Sequence, residues 1–181
     1  RRRRRRNHEG TGGAPAWRVS EGEPFEAEFI DRLKRLFEEQ ISFNHVLGLR
    51  IDSLGPERVS GHITMRPELI GHHLHQRLHG GVVSAALDAL GGLAVMAAIG
   101  ARHRDETIDA RMARFMRLGT IDLRIDYLRP ATGPWFQASA QVLRLGGRVA
   151  STRAGVTSGR TVVLDHGDGL ETAYLHLDGF A

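Results

Sequence analysis

The feature that most constrains this chain is its longest apolar run, residues 82–99, which carries one charged side chain, Asp88. The run approaches the length of a membrane span. However, it is rich in Ala and Gly, and a carboxylate at that depth would be costly in lipid. A helix that is apolar on nearly all sides must be enclosed by other elements of the fold. We therefore expect a buried central helix that opens at Gly80-Gly81, and no membrane span.

The segments on either side predict the elements that enclose this helix. Apolar residues at helical spacing predict an amphipathic helix over residues 24–41, and charged residues 103–117 with interleaved apolar ones predict a shorter helix. Alternating patterns between Gly and Pro turns predict strands, and the strand that starts at Ile121 should bury one face. The polar stretch 72–78 indicates a loop. The predicted strands cover residues 46–54, 58–65, 121–127, 135–145, 148–157, 161–164 and 172–177.

This order of elements is an α+β pattern, in which a curved antiparallel sheet wraps around one long central helix. Residues 1–22 are rich in Arg, Gly and Pro and predict a flexible leader, and residues 23–181 form a single domain of ordinary size. The net charge of +4 depends on Arg1 to Arg6, because without these six charges the remainder sums to −2 (4 − 6). Such terminal runs are usually solvated tails, so we expect no nucleic-acid binding.

The chain contains no cysteine, which excludes a disulfide framework, a thiolate metal site and a cysteine nucleophile. This composition fits the reducing cytoplasm, where we expect the protein to reside. Four imidazoles within eight residues raise the possibility of zinc, but their spacing lacks a known ligand pattern and no carboxylate lies between them. We expect no metal at His72, His73, His75 and His79.

Asp88 lies on a stripe of small side chains along the predicted helix, since residues seven apart return to the same face. This stripe leaves room beside the carboxylate for a substrate, with Ser84 as a candidate binding residue. The alternative is that Asp88 is buried for structural reasons and pairs with an arginine. The stripe consists of Gly81, Ser84, Ala85, Asp88, Gly91, Gly92 and Val95.

The start of the same helix predicts an oxyanion site. Free backbone N–H groups at Gly80 and Gly81 lie at the positive end of the helix dipole, and the absence of a Cβ lets a ligand oxygen approach. Asp88 is about 10 Å along the axis from Gly81, which predicts that a thioester or water fits between them. The alternative to an oxyanion site is that the glycines only form a tight turn and that His79 simply caps the helix.

Two segments resemble hot-dog fold acyl-CoA thioesterases of the phenylacetate-degradation type. Residues 78–88, Leu-His-Gly-Gly-Val-Val-Ser-Ala-Ala-Leu-Asp, look like the family's His-Gly-Gly motif followed by Asp nine residues after the His. Residues 119–131 are similar to the strand that follows in that family, including its Tyr-x-x-Pro ending. The resemblance implies a hot-dog fold over roughly residues 46–157.

The resemblance also implies roles for particular residues. Asp88 would act as general base or nucleophile, and the Gly80 N–H, helped by Gly81, would polarise the thioester carbonyl. Thr120 would hold the water, normally across a dimer interface, and His79 would help to place the thioester. The family forms homodimers, often paired into homotetramers, with coenzyme A at the subunit interface and with no metal or cofactor.

One position departs from the family pattern. Six residues before His79 the family commonly has an amide near the carboxylate, whereas this chain has His73, an imidazole that can also orient water. Arg129, Arg148 and Arg153 are candidates for binding coenzyme A phosphates because Arg forks suit phosphate. On strands these arginines could equally face solvent.

These observations predict hydrolysis of an acyl-CoA thioester to a carboxylic acid and free coenzyme A. The alternative from another class is a module that binds acyl-CoA without turning it over, because a fold alone does not dictate function. A third hypothesis is polyanion binding through Arg1 to Arg6.

Overall fold

The computed structural model describes residues 25–158 and the backbone of the strand Ala173–Leu177. The predicted leader 1–22 and the predicted strand 161–164 lie outside the described residues. The helical elements are α1 (Ala27–Arg35), a π-helical turn (Leu36–Gln40), α2 (Ser42–Leu47), α3 (Gly80–Arg102) and α4 (Ile108–Arg114), with short 3-10 turns at Pro67–Leu69, His73–His75 and Phe115–Arg117.

The described strands form one large antiparallel sheet and one small one. The strands are β1 (Arg50–Leu54), β2 (Arg58–Thr64), β3 (Ile70–His72), β4 (Arg77–Leu78), β5 (Leu118–Leu123), β6 (Trp135–Leu145), β7 (Val149–Ser158) and β8 (Ala173–Leu177). The large sheet has the order β1-β2-β6-β7-β8-β5, and β3 pairs with β4 in the small sheet. Among the described strands β5 pairs only with β8, so no described strand lies along its other edge.

Helix α3 packs against the inner face of the large sheet, chiefly on β6 and β7. Twelve of its 23 residues are buried, and all the others except Gly81 and Arg102 are half-buried. By length and composition α3 could cross a membrane, but it lies inside the fold as a core helix. The prediction of an antiparallel sheet wrapped around a long central helix is therefore confirmed.

Helix α1 covers the C-terminal end of α3 through close packing at one glycine. A Cβ at Gly100 would collide with the Phe29 ring, so only glycine allows the two helices to approach this closely. Phe29, Leu33 and Phe37 lie along one helical face and are almost completely buried. The amphipathic pattern over residues 24–41 thus identifies the face that docks on the core.

A salt bridge fastens α1 to α4. The Arg111 guanidinium is almost fully buried and donates to both carboxylate oxygens of Glu26, at 3.1 and 2.7 Å. Its Cζ lies 4.5 Å from the centroid of the Phe29 ring. Arg32 on α1 pairs with Asp109 on α4 at 2.6 Å. The Arg111 guanidinium holds the pKa of the Glu26 carboxyl below its usual value.

Several predicted boundaries in the first half of the chain are wrong. The predicted helix 24–41 ends close to the predicted residue, before the extended Ile41, but it starts only at Ala27 and its last turn is π-helical; the Asn44 side chain donates to the Phe37 carbonyl at 3.0 Å. Strand β1 begins only at Arg50, because α2 continues to Leu47 and ends in a left-handed Gly48. The predicted loop 72–78 contains the end of β3, a 3-10 turn and β4.

The predictions around α3 and β5 also need correction. Helix α3 starts at Gly80, as expected, but runs on to Arg102, and α4 starts only at Ile108 behind a Thr107 cap. Strand β5 ends at Leu123, and its residues 119–122 are all exposed within one chain. The expected buried face on this strand is therefore absent, because no element of the described chain covers it.

Candidate active site at the start of the central helix

His79 caps α3 and accepts hydrogen bonds from most of the free amides at the helix start. Its Nδ1 accepts from the Gly81 N–H at 2.9 Å, and its carbonyl accepts from the amides of Val82 and Val83. Among the described residues, nothing accepts from the Gly80 N–H. The predicted help of Gly81 in binding an oxyanion is not seen in this geometry, in which Gly80 alone presents a free donor at the helix start among the described residues.

Two side chains hold the next peptide, Gly80–Gly81, through the Gly80 carbonyl. The Tyr127 hydroxyl donates to the Gly80 carbonyl at 2.9 Å, and the Ser84 hydroxyl donates to the carbonyls of Gly80 at 3.1 Å and Gly81 at 3.2 Å. A Cβ at Gly80 would stand 3.3 Å from the Tyr127 ring. Ser84 was predicted to bind substrate. Its hydroxyl instead donates to backbone carbonyls of its own helix, as serines in helices commonly do. The Tyr-x-x-Pro ending was the only sequence signal for Tyr127.

Asp88 and Thr120 meet within one chain. The Thr120 hydroxyl, on the open edge strand β5, donates to Asp88 Oδ1 at 2.6 Å. Asp88 is half-buried, and no other donor among the described residues contacts its carboxylate. The hydroxyl that the resemblance assigned to a partner chain therefore reaches the carboxylate of its own chain.

The side of α3 that carries Asp88 is open. A Cβ at Gly92, one turn after Asp88, would meet nothing within 4 Å. Ala85, one turn before Asp88, is only half-buried. The small-residue stripe thus leaves a space beside the carboxylate, as the sequence pattern predicts.

The free Gly80 amide and the Asp88 carboxylate do not face a common space within one chain. Eight residues separate them, which is about 12 Å along the helix axis. The first N–H groups of a helix point out of its N-terminus, so the Gly80 N–H points away from Asp88. Within one chain the helix start and Asp88 therefore do not enclose the space for a thioester that the sequence predicts.

A cavity of about 310 Å³ adjoins the start of α3. Its walls are mainly apolar, Gly80 forms part of them, and two arginines and a tyrosine supply the polar side chains. No carboxylate lines it. The lining residues are Arg77, Leu78, Gly80, Val83, Tyr127, Leu128, Arg129, Pro130, Ala131 and Val156.

A larger concavity, of about 760 Å³, lies among seven charged side chains on α1 and the π-helical turn. None of its lining residues belongs to the segments 78–88 and 119–131, which carry the family resemblance. We therefore place the candidate site at α3. The residues around the larger concavity are Glu28, Asp31, Arg32, Lys34, Arg35, Glu38 and Glu39.

Two predicted binding residues lie apart from this site. His73 is exposed in a 3-10 turn, its ring stacks on His72 with centroids 6.1 Å apart, and it has no described contact with Asp88. Arg148 is exposed in the turn between β6 and β7, beside Leu145, whose carbonyl accepts from Arg102 at the far end of α3. Of the three predicted phosphate-binding arginines, Arg129, Arg148 and Arg153, only Arg129 lines the cavity beside Gly80.

The described residues contain no cluster of three or more His, Cys, Asp or Glu side chains that could hold a metal ion.

Residues 75–164 match the family model described as Thioesterase superfamily. The chain is 36% identical, over 118 residues, to the medium/long-chain acyl-CoA thioesterase YigI of Escherichia coli strain K12; the match covers 65% of this chain and 76% of YigI. The chain belongs to the thioesterase superfamily. The residues that carry the Gly80, Asp88 and Thr120 geometry all lie within the matched family region.

Solved structures of this superfamily share the fold. A Shewanella oneidensis protein related to the thioesterase superfamily is 37% identical and superposes with a TM-score of 0.68, covering 83% of this chain and 93% of that one. Thioesterase superfamily member 2 from Mus musculus, at 18% identity, superposes with a TM-score of 0.56 over 84% of this chain and 96% of that one. The second likeness bears on the fold alone. The predicted hot-dog fold is thus confirmed.

Proposed function

We propose that this member of the thioesterase superfamily hydrolyses acyl-CoA thioesters with Asp88 as general base. One observation carries the proposal: the Asp88 carboxylate is held through one oxygen by Thr120 and faces an open space. The acyl-CoA thioesterase activity in the name of the E. coli relative supports the same reaction class. Medium to long acyl chains are therefore the first substrates to examine.

The hydrogen bond from Thr120 favours activation of water. Because Oδ1 accepts from Thr120, Oδ2 remains to accept a proton from a water molecule. The water oxygen attacks the thioester carbon, and its proton passes to Asp88. The tetrahedral intermediate then expels the coenzyme A thiolate, the C–S bond breaks, and the thiolate takes the proton from Asp88. The products are a carboxylic acid and free coenzyme A.

The Gly80 N–H supplies the matching electrostatic stabilisation. The carbonyl oxygen of the thioester becomes negative in the tetrahedral intermediate, and a donor at a helix N-terminus stabilises that charge. The Gly80 N–H shares its peptide plane with the His79 carbonyl, which accepts from the amides of Val82 and Val83, so the donor is fixed before substrate arrives. Such an interaction is typically worth about 3 kcal/mol per donor in the transition state.

A homodimer completes this site. The reacting carbon must lie about 3 Å from the attacking water, and the oxyanion about 3 Å from its donor. Gly80 and Asp88 of one chain are about 12 Å apart along α3 and cannot both meet these distances. We therefore assign Gly80 of one chain and the Asp88–Thr120 pair of a second chain to each site.

The open edge of β5 is the natural surface for that second chain. Apolar side chains around the strand are exposed in the single chain, including Ile121 at 54% and Met116 at 84%. An unpaired edge strand with exposed apolar neighbours is a template for pairing with another strand. This dimer would cover the face of β5 that the alternating pattern predicts to be buried. Assembly of two dimers into a tetramer and a cytoplasmic location remain predictions from the sequence.

Release of free thiol from a panel of acyl-CoAs tests the proposed reaction. Asp88→Asn should abolish turnover, whereas Asp31→Asn, which removes an exposed carboxylate on α1, should leave it unchanged. Equal rates for wild type and Asp88→Asn would contradict the role of Asp88. Tight acyl-CoA binding by the wild type without any turnover would instead support the non-catalytic binding module.

A further inference from the structure

Arg77 occupies a rigid position at the edge of the site cavity. Its strand β4 pairs with β3, its own backbone forms a bridge with Thr132, and the Leu78 amide donates to the Ala131 carbonyl at 3.0 Å. The side chain is half-buried and lines the same cavity as Gly80 and Arg129. The backbone contacts therefore hold this guanidinium beside the proposed oxyanion donor.

The Arg77 guanidinium has no partner among the described residues. Its Nε is buried and donates to no acceptor. A buried donor without an acceptor carries a desolvation cost, and such a group in a folded protein calls for a specific explanation. An anionic ligand in the cavity that Arg77 lines would offset this cost by pairing with the guanidinium.

Arg77 differs from two other arginines in that none of its nitrogens has a described partner. The Nε of the buried Arg111 also lacks an acceptor, but both of its terminal nitrogens pair with Glu26, and Arg66 donates to the carbonyls of Val46 and Leu47. Arg153 also has a buried Nε without an acceptor. It lies on the outer face of β7, because its neighbours Thr152 and Ala154 face the core, so it does not share the cavity.

The charges around the cavity favour an anion. Arg77 and Arg129 both line it, the Gly80 N–H is a further free donor, and no carboxylate is among the lining residues. The remaining walls are mainly apolar, so water screens these charges less than it would on an open surface. An Arg fork suits carboxylate and phosphate oxygens in particular.

We propose that Arg77, with Arg129, binds an anionic oxygen group of the substrate. This inference rests on the proposed acyl-CoA hydrolysis and adds a binding residue to it. Two parts of a substrate offer this chemistry: the phosphates of coenzyme A and a carboxylate on the acyl group of a dicarboxylic acyl-CoA. Arg77 recognises the charged oxygens in either case.

The experiment compares wild type with Arg77→Met, Arg77→Lys and the control Arg144→Met, which removes an exposed arginine near the far end of α3. Each protein is assayed with three substrates of equal acyl length: a straight-chain acyl-CoA, the same acyl group on pantetheine, and the dicarboxylic acyl-CoA. Melting temperatures show whether each variant is folded. Loss of a charged hydrogen bond predicts a KM about ten- to a hundredfold higher for Arg77→Met with little change in kcat.

The pattern over the three substrates decides the source of the anion. If Arg77 binds phosphate, Arg77→Met raises KM for both coenzyme A thioesters and leaves the pantetheine thioester unaffected. If it binds the acyl carboxylate, only the dicarboxylic substrate is affected. In both cases Arg77→Lys recovers part of the loss, and Arg144→Met behaves as wild type.

Two outcomes overturn the inference. An unchanged KM on all three substrates means that Arg77 binds no part of them, and an equal change on all three means that its role is structural. Neither outcome depends on the proposed function, because the wild type must first hydrolyse at least one of the thioesters. Failure of the wild type on every substrate would instead refute the hydrolysis itself.

Discussion

Thr120 on the edge strand donates its hydroxyl hydrogen to Asp88 on the central helix, with 2.6 Å between the two oxygens. Within one chain this bond joins residues 32 positions apart, so it depends on the docking of β5 beside α3. The bond occupies Oδ1 and leaves Oδ2 without a described donor. The carboxylate is therefore oriented with one oxygen available for chemistry.

Removing this hydroxyl should slow the reaction without unfolding the protein. Thr120→Ala is expected to lower kcat by about tenfold, because the carboxylate loses a charge-assisted hydrogen bond and its fixed orientation. Thr120→Ser keeps the hydroxyl and should stay within about threefold of wild type by the same reasoning. Steady-state kinetics on an acyl-CoA and the melting temperatures of both variants provide the measurement. Similar kcat values for the Ala and Ser variants would argue against the orienting role.

Gly80→Pro removes one N–H from the proposed oxyanion site with little change to the helix. Gly80 is the first residue of α3, a position where proline is favoured, and His79 already has the extended conformation that proline requires of its predecessor. Loss of one oxyanion donor typically lowers kcat by about 10²- to 10³-fold.

Gly80→Ala is the matched steric control for this change. It keeps the N–H but brings a Cβ to 3.3 Å from the Tyr127 ring, a tight contact that the ring can relieve by a small shift. We expect a much smaller loss of kcat than for Gly80→Pro. If Ala and Pro reduce kcat equally, crowding against Tyr127 explains the loss and the Gly80 N–H is not the donor.

Mixed dimers test whether two chains build each site. A dimer of an Asp88→Asn chain and a Gly80→Pro chain would contain one site with both groups intact and one with neither. Refolding an equal mixture should therefore restore about a quarter of wild-type activity, since half of the dimers are mixed and each has one working site of two. Thiol release before and after mixing measures the gain.

The control mixture combines Asp88→Asn with Thr120→Ala. Because Asp88 and Thr120 meet within one chain, every mixed site lacks one of them and no site is restored intact. A gain in the control mixture equal to that in the first would show that Thr120 acts across the interface. No gain in the first mixture would place Gly80 and Asp88 in the same site of one chain.

The Glu26–Arg111 salt bridge makes stability dependent on pH. Arg111 lowers the pKa of Glu26 in the folded protein, so the folded state binds this proton more weakly than the unfolded state does. The stabilisation is present above the ordinary Glu pKa of 4.5 and is lost as the pH falls through the lowered folded value. Glu26→Gln should therefore destabilise the protein at pH 7, by about 1–2 kcal/mol because the Glu26 side chain is half exposed.

Urea unfolding of wild type and Glu26→Gln between pH 7 and pH 3 measures this effect. The difference in unfolding free energy should shrink as the pH falls. Glu28→Gln is the control, since Glu28 is exposed and lies 3.8 Å from Arg32. A constant difference for Glu26→Gln over the whole pH range would mean that the carboxylate charge does not stabilise α1.

The sequence could predict those parts of the fold that are buried by other residues of the same chain. Helix α3 is apolar on all sides, and strands β6 and β7 alternate regularly between glycine turns, so burial within the chain fixes them. The exposed face of β5 could not be predicted in this way, because the alternating pattern around Ile121 indicates burial but not which chain covers the residue.

The site could be predicted only in part for a similar reason. The spacing of Gly80 and Asp88 and the match around Thr120 pointed to the groups that the proposed reaction uses. The sequence could not show that the His79 ring turns back to accept from the Gly81 N–H, because this depends on side-chain rotation. Arg77 escaped notice because an arginine beside a His-rich stretch looks like an ordinary surface residue until its buried Nε is seen.

The pairing of Glu26 with Arg111 also bears on the order of events on the ribosome. These residues are 85 positions apart, so at 5–20 residues per second α1 waits about 4 to 17 seconds for its partner to be synthesised. During that interval Phe29 and Leu33 have no finished core to cover, since α3 is also still incomplete. The nascent chain thus presents an apolar helical face to chaperones until α4 emerges. Substitutions that make this face more apolar should therefore lower the soluble yield before they affect the stability of the finished protein.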